Sequence, residues 1–265
     1  IPLLAAFVVL FFEFPEAQIS ERFQYGFGKR FDQLTAICGG AVGILVLGWL
    51  DDKHELKPMV KFGGQLLVAF ATALSGVRIT MFVESLFFSY VITVFWILTI
   101  VNAMNFLDNM NGLCAGLTVI GAGSFGLIAA YHEQYLVGSF CWLVAGAFLG
   151  FIPYNYPKAT VFLGDAGSHL AGYLLAVLGI LPHFYSKAHP DEWAVLTPVV
   201  ILGLPLVDIT QVVIRRIRAG NPIYVGDNNH ISHLLARKGV SKTATTAILW
   251  GIGLLLGVVG FLINV

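Results

Sequence analysis

Long apolar stretches separated by short polar segments run through the whole chain. Apolar runs lie near residues 1–12, 33–50, 62–76, 86–103, 113–131, 136–153, 166–182, 194–214 and 244–263. Most approach the roughly 17 to 25 residues that carry a helix across a ~30 Å hydrocarbon layer. They predict an all-α, polytopic integral membrane protein of about nine transmembrane helices, a single domain over residues 1–265. The polar segments near 51–61, 102–112, 154–165 and 215–243 are the predicted loops, and no internal repeat is visible.

Composition agrees with this reading. The chain is 57% hydrophobic and 11% charged, where an ordinary soluble domain carries about 25% charged residues. A formal net charge of zero argues against a basic surface made for nucleic acid. The first run starts at Ile1 without an initiator Met, a basic n-region or a small-residue cleavage site. It does not read as a signal peptide, and further N-terminal sequence is expected. Cys38, Cys114 and Cys141 fall inside apolar runs and are read as small buried hydrophobes.

Charge distribution says more than net charge. With nine alternating spans, one set of loops holds Lys53, Lys57, Lys61, Lys158, Arg215, Arg216, Arg218, Arg237, Lys238 and Lys242, and the other holds Arg22, Lys29, Arg30, Arg78 and Lys187. The richer set is predicted to face the cytoplasm. Asp51, Asp52, Asp108 and Asp165 all fall on that side, each where an apolar run gives way to a polar segment. A transporter would more often hold its ionisable groups near the bilayer midplane, at breaks between paired repeats.

Four segments carry candidate chemistry. In Gly48-Trp49-Leu50-Asp51-Asp52-Lys53, adjacent carboxylates cannot share one helical face, but at a helix end they can address a metal or phosphate from different angles. Lys53, Lys57 and Lys61 could hold phosphate oxygens nearby; a solvated loop marking the interface is the competing reading. Asn102, Asn105 and Asp108 recur at i, i+3 and i+6, a polar stripe on a helix, or simply a helix end with capping side chains before Gly112. Asp165 stands between Gly164 and Gly167 ahead of a new apolar run. There a diphosphate and its Mg²⁺ can approach the backbone, or the segment is a plain Gly-Asp turn; the Gly-Lys-Ser/Thr ending of a Walker A loop is absent.

The fourth segment runs from Arg215-Arg216-Ile217-Arg218 through Gly220-Asn221-Pro222 and Asp227-Asn228-Asn229 to His230-Ile231-Ser232-His233. Clustered arginines suit phosphate recognition, though basic residues beside a membrane helix are also ordinary topology anchors. The two histidines could face one site, and a zinc site lacks a clear third ligand. Asp208, inside an apolar run, is costly unless paired or functional, with Arg215 the expected partner in an ion pair.

Taken in order, these motifs resemble the polyprenyl-phosphate N-acetylhexosamine-1-phosphate transferases, membrane enzymes that include bacterial GlcNAc-1-phosphate transferases and phospho-MurNAc-pentapeptide translocase. The resemblance spans Gly48 to about Gly239 and rests on the Asp-Asp pair with Lys61, Asn-x-x-Asn-x-x-Asp, Phe-x-Gly-Asp-x-Gly-Ser and the His-containing loop. It implies attack of a polyprenyl phosphate on the β-phosphorus of a UDP-activated amino sugar, most simply UDP-GlcNAc, giving a sugar-diphospho-lipid and UMP. The implied setting is the bacterial cytoplasmic membrane, with the site on its inner face, Mg²⁺ (or Mn²⁺) as cofactor, a groove among helices for the prenyl chain, and a homodimer as an open alternative.

By the same resemblance, Asp165 would ligate Mg²⁺, and Asp51 or Asp52 would engage the lipid phosphate. Asp108 and Asn105 would belong to the nucleotide and metal region, and Phe162 and Asn155 would lie near the uracil. Lys61, Asn109, Asn111, Arg215, Arg216, Arg218, His230 and His233 complete the expected substrate contacts. Both a covalent and a one-step mechanism are open, with direct attack favoured because the lipid phosphate is already anionic. The spacing of the His loop favours the GlcNAc branch over the translocase. Three departures stand out: Ser232 where that branch has a middle histidine, and Asn109 and Asn111 where Gly and Asp are usual. A transporter or lipid-binding scaffold remains the rival from another class, and a CDP-lipid transferase lacks its Asp-Gly-x-x-Ala-Arg pattern here.

Overall fold

The computed structural model describes residues 17–80, 83–182, 184, 192–222 and 229–265. They form α1 (Ala17–His54), α2 (Pro58–Leu74), α3 (Leu86–Leu107), α4 (Leu113–Tyr131), α5 (Tyr135–Asn155) and α6 (Gly164–Leu178). A 3-10 turn (Glu192–Leu196) then leads into α7 (Thr197–Ile201), α8 (Gly203–Arg218), α9 (Ile231–Arg237) and α10 (Lys242–Leu262). Among the described residues there is no strand. Local signals set several boundaries: Pro58 opens α2 at its first turn, where its missing N–H costs nothing. Ser85 and Ser241 cap α3 and α10 by accepting the Phe88 and Ala244 amides.

Each apolar run within the described residues coincides with helix, and the first run lies outside them. Among the described residues fewer than nine crossing helices are found, and the count of nine is not confirmed. Five helices among the described residues are long and apolar enough to cross a membrane, or six if the pair Glu192–Ile201 and Gly203–Arg218, bent by 67°, counts as one broken span. The run near 194–214 therefore breaks around Leu202. The runs near 62–76 and 166–182 yield helices of 17 and 15 residues, short of a full crossing at 1.5 Å per residue. The architecture is nonetheless that of a multi-span membrane protein.

Helix α6 is the central post. After its first turn it is buried on most sides, through Ser168, His169, Ala171, Gly172, Tyr173, Leu175 and the residues up to Leu178, and it packs on α1, α3 and α4. Helix α1 runs antiparallel to it and very close: a Cβ on Gly48 would stand 2.5 Å from the Ala166 Cα, a separation only glycine permits. Helix α2 runs alongside in parallel, with contacts from Lys61 to Asp165 and from Thr72 to Tyr173. This register brings the C-terminal ends of α1 and α3 and the N-terminal ends of α2 and α6 to one end of the bundle. Cys114 and Cys141 are buried as expected, whereas Cys38 is exposed and lines an apolar groove of about 650 Å³ among α1, α5 and α6. It faces outward because α1 has only one side to give to α6.

Candidate active site

The adjacent carboxylates on the last turn of α1 diverge, as neighbours on a helix must. Asp51, only 8% exposed, accepts the Leu56 amide at 2.8 Å and pairs with the Lys61 Nζ at 2.7 Å. Asp52 turns to the start of α6 and accepts the amides of Asp165 and Ala166 at 2.7 and 3.0 Å. It thereby satisfies two of the unpaired donors at that helix end and meets the positive pole of its dipole. Gly164, at φ +62°, makes this possible, since a Cβ there would lie 2.7 Å from the Asp52 carboxylate.

Asp165, in the first turn of α6, is the junction of the site. Its Oδ2 meets Lys61 Nζ at 2.9 Å, so one ammonium bridges Asp51 and Asp165. Its Oδ1 accepts the Asn105 amide at 2.7 Å, and Asn105 also reaches the Ser168 hydroxyl at 3.0 Å. Along the α3 stripe, Asn102 donates to Gln65 at 2.8 Å, Asn105 to Asp165, and Asp108 closes the helix. Asp108 makes no side-chain hydrogen bond among the described residues. Burial, and then the negative charges of Asp165 and Asp52, push its carboxyl up to about 7.

An open cavity of about 560 Å³ lies between these helix ends, lined by Asp51, Asp52, Glu55, Leu56, Asn105, Asp108, Phe162, Gly164 and Asp165. Among the described residues no three His, Cys, Asp or Glu side chains converge to hold a metal unaided. Mg²⁺ does not need that, because one or two carboxylates with substrate phosphates and water complete its octahedron. The surplus of negative charge around Asp108, with Lys61 already spent on two carboxylates, fits a site completed by a divalent cation.

Beside the cavity, α9 forms a second polar cluster. Asp208 is fully buried and does not pair with Arg215. Its Oδ2 meets His230 Nδ1 at 2.7 Å and its Oδ1 accepts the Ile231 amide at 2.7 Å, because the chain returns His230 and the start of α9 against α8 while Arg215 points outward. Arg216 is the buried arginine, stacked over the Phe106 ring at 5.0 Å; Arg215 and Arg218 are exposed. His230 packs edge-on to the same ring at 5.7 Å and lies 6.1 Å from His233. Burial, then the neighbouring His230, Arg237 and Lys242, hold the His233 imidazole below its usual range.

Residues 34–183 match glycosyl transferase family 4. The chain belongs to that family. This family 4 chain is 36% identical over 234 residues to a probable undecaprenyl-phosphate N-acetylglucosaminyl 1-phosphate transferase of Bacillus subtilis, covering 85% of the chain and 64% of that protein. It is 32% identical to a decaprenyl-phosphate N-acetylglucosaminephosphotransferase of Mycobacterium tuberculosis, over 86% of the chain and 62% of the relative. To a phospho-N-acetylmuramoyl-pentapeptide-transferase of Listeria monocytogenes it is 31% identical, over 83% and 70%. The chain thus spans somewhat less than two thirds of the first two relatives.

Measured against the sequence expectations, Asp51, Asp52, Asn105, Asp108, Phe162 and Asp165 line one cavity, and Lys61 bridges two of them. Asn155 does not face it: its side chain is buried, accepts the Gly112 amide at 2.7 Å and donates to the Val161 carbonyl at 2.8 Å. Asn111 donates to the Pro157 carbonyl at 3.3 Å, and Asn109 is bonded to Ser232 and to the Phe106 carbonyl. Asp227 and Asn228 lie outside the described residues. Sequence reasoning missed Glu55 and the Asp208–His230 pair. Glu55 had only its closeness to the Asp-Asp pair to mark it, and no spacing rule links Asp208 to a residue 22 positions away.

Proposed function

We propose that the whole protein transfers an N-acetylhexosamine 1-phosphate, GlcNAc-1-phosphate before others, from a UDP-sugar to a polyprenyl phosphate at the cytoplasmic face of the bacterial inner membrane. The observation that carries this reading is the carboxylate cavity, in which Lys61 joins Asp51 to Asp165 and Asp108 has no side-chain partner among the described residues. The names of the B. subtilis and M. tuberculosis relatives support the GlcNAc form, and that of the L. monocytogenes relative keeps the phospho-MurNAc-pentapeptide donor as the second reading.

In the reaction an oxygen of the lipid phosphate bonds to the β-phosphorus of the UDP-sugar while the bond from that phosphorus to the α–β bridging oxygen breaks. UMP leaves, and a diphosphate joins sugar to lipid. Such a transfer needs chiefly alignment and charge neutralisation. Lys61 has one N–H beyond its two carboxylate contacts to offer a phosphate oxygen, Asn105 orients Asp165, and Asp52 fixes the start of α6. Asp165 and Asp108 would hold Mg²⁺ (or Mn²⁺), which neutralises phosphate charge when bound. Asp51 and Asp52 are already engaged at both oxygens, which supports direct attack by the lipid phosphate over a covalent aspartyl route. The prenyl chain is assigned to the apolar groove of α1, α5 and α6. Its Leu170 and Leu174 lie about 8 and 14 Å along α6 from Asp165 at the helical rise.

The test is incubation of the protein at full length with undecaprenyl phosphate, Mg²⁺ and either UDP-GlcNAc or UDP-MurNAc-pentapeptide. UMP and lipid-linked sugar are expected in equal amounts with UDP-GlcNAc, and both are lost on chelation. Product from the pentapeptide donor alone would move the assignment to the second reading.

A further inference from the structure

The short helix α9 carries His233 and directly follows His230, yet its one fully buried side chain is polar, Ser232. That hydroxyl is not turned back into its own helix. It meets Asn109 Oδ1 at 2.7 Å, across 123 residues of sequence, in the loop immediately after Asp108. The orientation of the Asn109 amide is fixed independently, because its Nδ2 faces the Phe106 carbonyl at 2.7 Å and a carbonyl can only accept. The Asn109 oxygen therefore accepts, and the Ser232 proton is committed to it. The start of the same helix is tied to α8 through Asp208, so α9 is held at two points by polar bonds.

We infer that the Ser232–Asn109 hydrogen bond is a latch fixing the His-bearing α9 against the Asp108 loop, and that Ser232 is a positioning residue for the nucleotide-sugar side of the site. The inference deepens the transferase reading and rests on it. Its two partners are two of the positions where this sequence departs from the motifs it resembles, and Asn plus Ser present as many side-chain heavy atoms as Gly plus His. The two departures thus match in side-chain size and meet in one hydrogen bond here.

The latch is tested by Ser232→Ala, Ser232→Thr, Asn109→Gly, the double Ser232→Ala/Asn109→Gly and the swap Asn109→Gly/Ser232→His, each in the full chain in detergent. Loss of one buried hydrogen bond predicts an increase of about tenfold in KM for the UDP-sugar in Ser232→Ala and in Asn109→Gly, with KM for the lipid phosphate unchanged. Ser232→Thr keeps the hydroxyl and stays near wild type. The double variant is no worse than the poorer single, as for partners in one bond, and the swap recovers most of the loss. Hydrogen exchange gives a readout independent of turnover: amides 231–237 exchange faster in Ser232→Ala while those of α10 do not. Unchanged exchange, additive losses, or equal effects on both substrates overturn the latch. If wild-type protein makes no product from any UDP-sugar, the transferase reading fails, and the exchange measurement still decides the latch.

Discussion

Lys61 bridges two carboxylates, one of them buried, so its removal leaves negative charge uncompensated and, in the proposed role, takes away a donor to phosphate. Breaking such a pair costs roughly 3–5 kcal/mol where both groups are fully buried. Lys61 is 20% exposed, which puts Lys61→Met toward or below the low end of that range, read as a lower thermal midpoint together with lost turnover. Asp165→Asn is different: it keeps the shape and the Asn105 contact, so the protein remains extractable and folded while Mg²⁺-dependent turnover falls by at least about 10²-fold. Near-normal turnover in that variant would remove Asp165 from the mechanism. Asp108 adds a pH dependence. Burial and the neighbouring carboxylates raise its carboxyl to about 7, so in the proposed metal role a proton held below that pH has to be displaced by the cation. Divalent affinity is then expected to fall about tenfold per unit below neutrality and to level off above it. Calorimetry at about pH 6 and about pH 8 checks this through the protons released on binding, and Asp108→Asn abolishes the difference.

At the scale of elements, the close approach of α1 to α6 sets the site. Gly48→Val places side-chain atoms where the Ala166 backbone already lies. Forcing the helices apart is expected to cost about 1–3 kcal/mol and to pull Asp52 off the start of α6, with loss of turnover exceeding the loss of folded protein. Sequence reading reached much of this level. The runs gave the helices, and the i, i+3, i+6 stripe of Asn102, Asn105 and Asp108 is the line of contacts that α3 makes with α2, α6 and the cavity. It failed on where helices stop and bend. Gly179 with Pro182 and Gly203 with Pro205 are local signals for the stop of α6 at 15 residues and the 67° bend near Leu202, but a reading by apolar runs passes over them, because hydropathy reports burial and not direction. Asp208 shows the same limit: a buried acid asks for a partner, but the partner is chosen by how α9 returns to α8, and Arg215, two turns away in sequence, faces elsewhere.

For the whole molecule, the richer set of Lys and Arg and the carboxylate site fall at the same end, so the topology and the chemistry make one claim. In a Cys38→Ser background, a cysteine at position 57 or 158 is expected to react with a membrane-impermeant maleimide in inverted vesicles and not in intact cells. The reverse pattern would place the site outside. The central claim is that a sugar phosphate, and not a sugar alone, moves to the lipid. The most direct measurement follows ³²P placed at the β-position of UDP-GlcNAc when the full-length protein acts on undecaprenyl phosphate with Mg²⁺. The label is expected in the organic-soluble diphospholipid, with unlabelled UMP released. Label retained in UDP while sugar appears on the lipid would contradict the account.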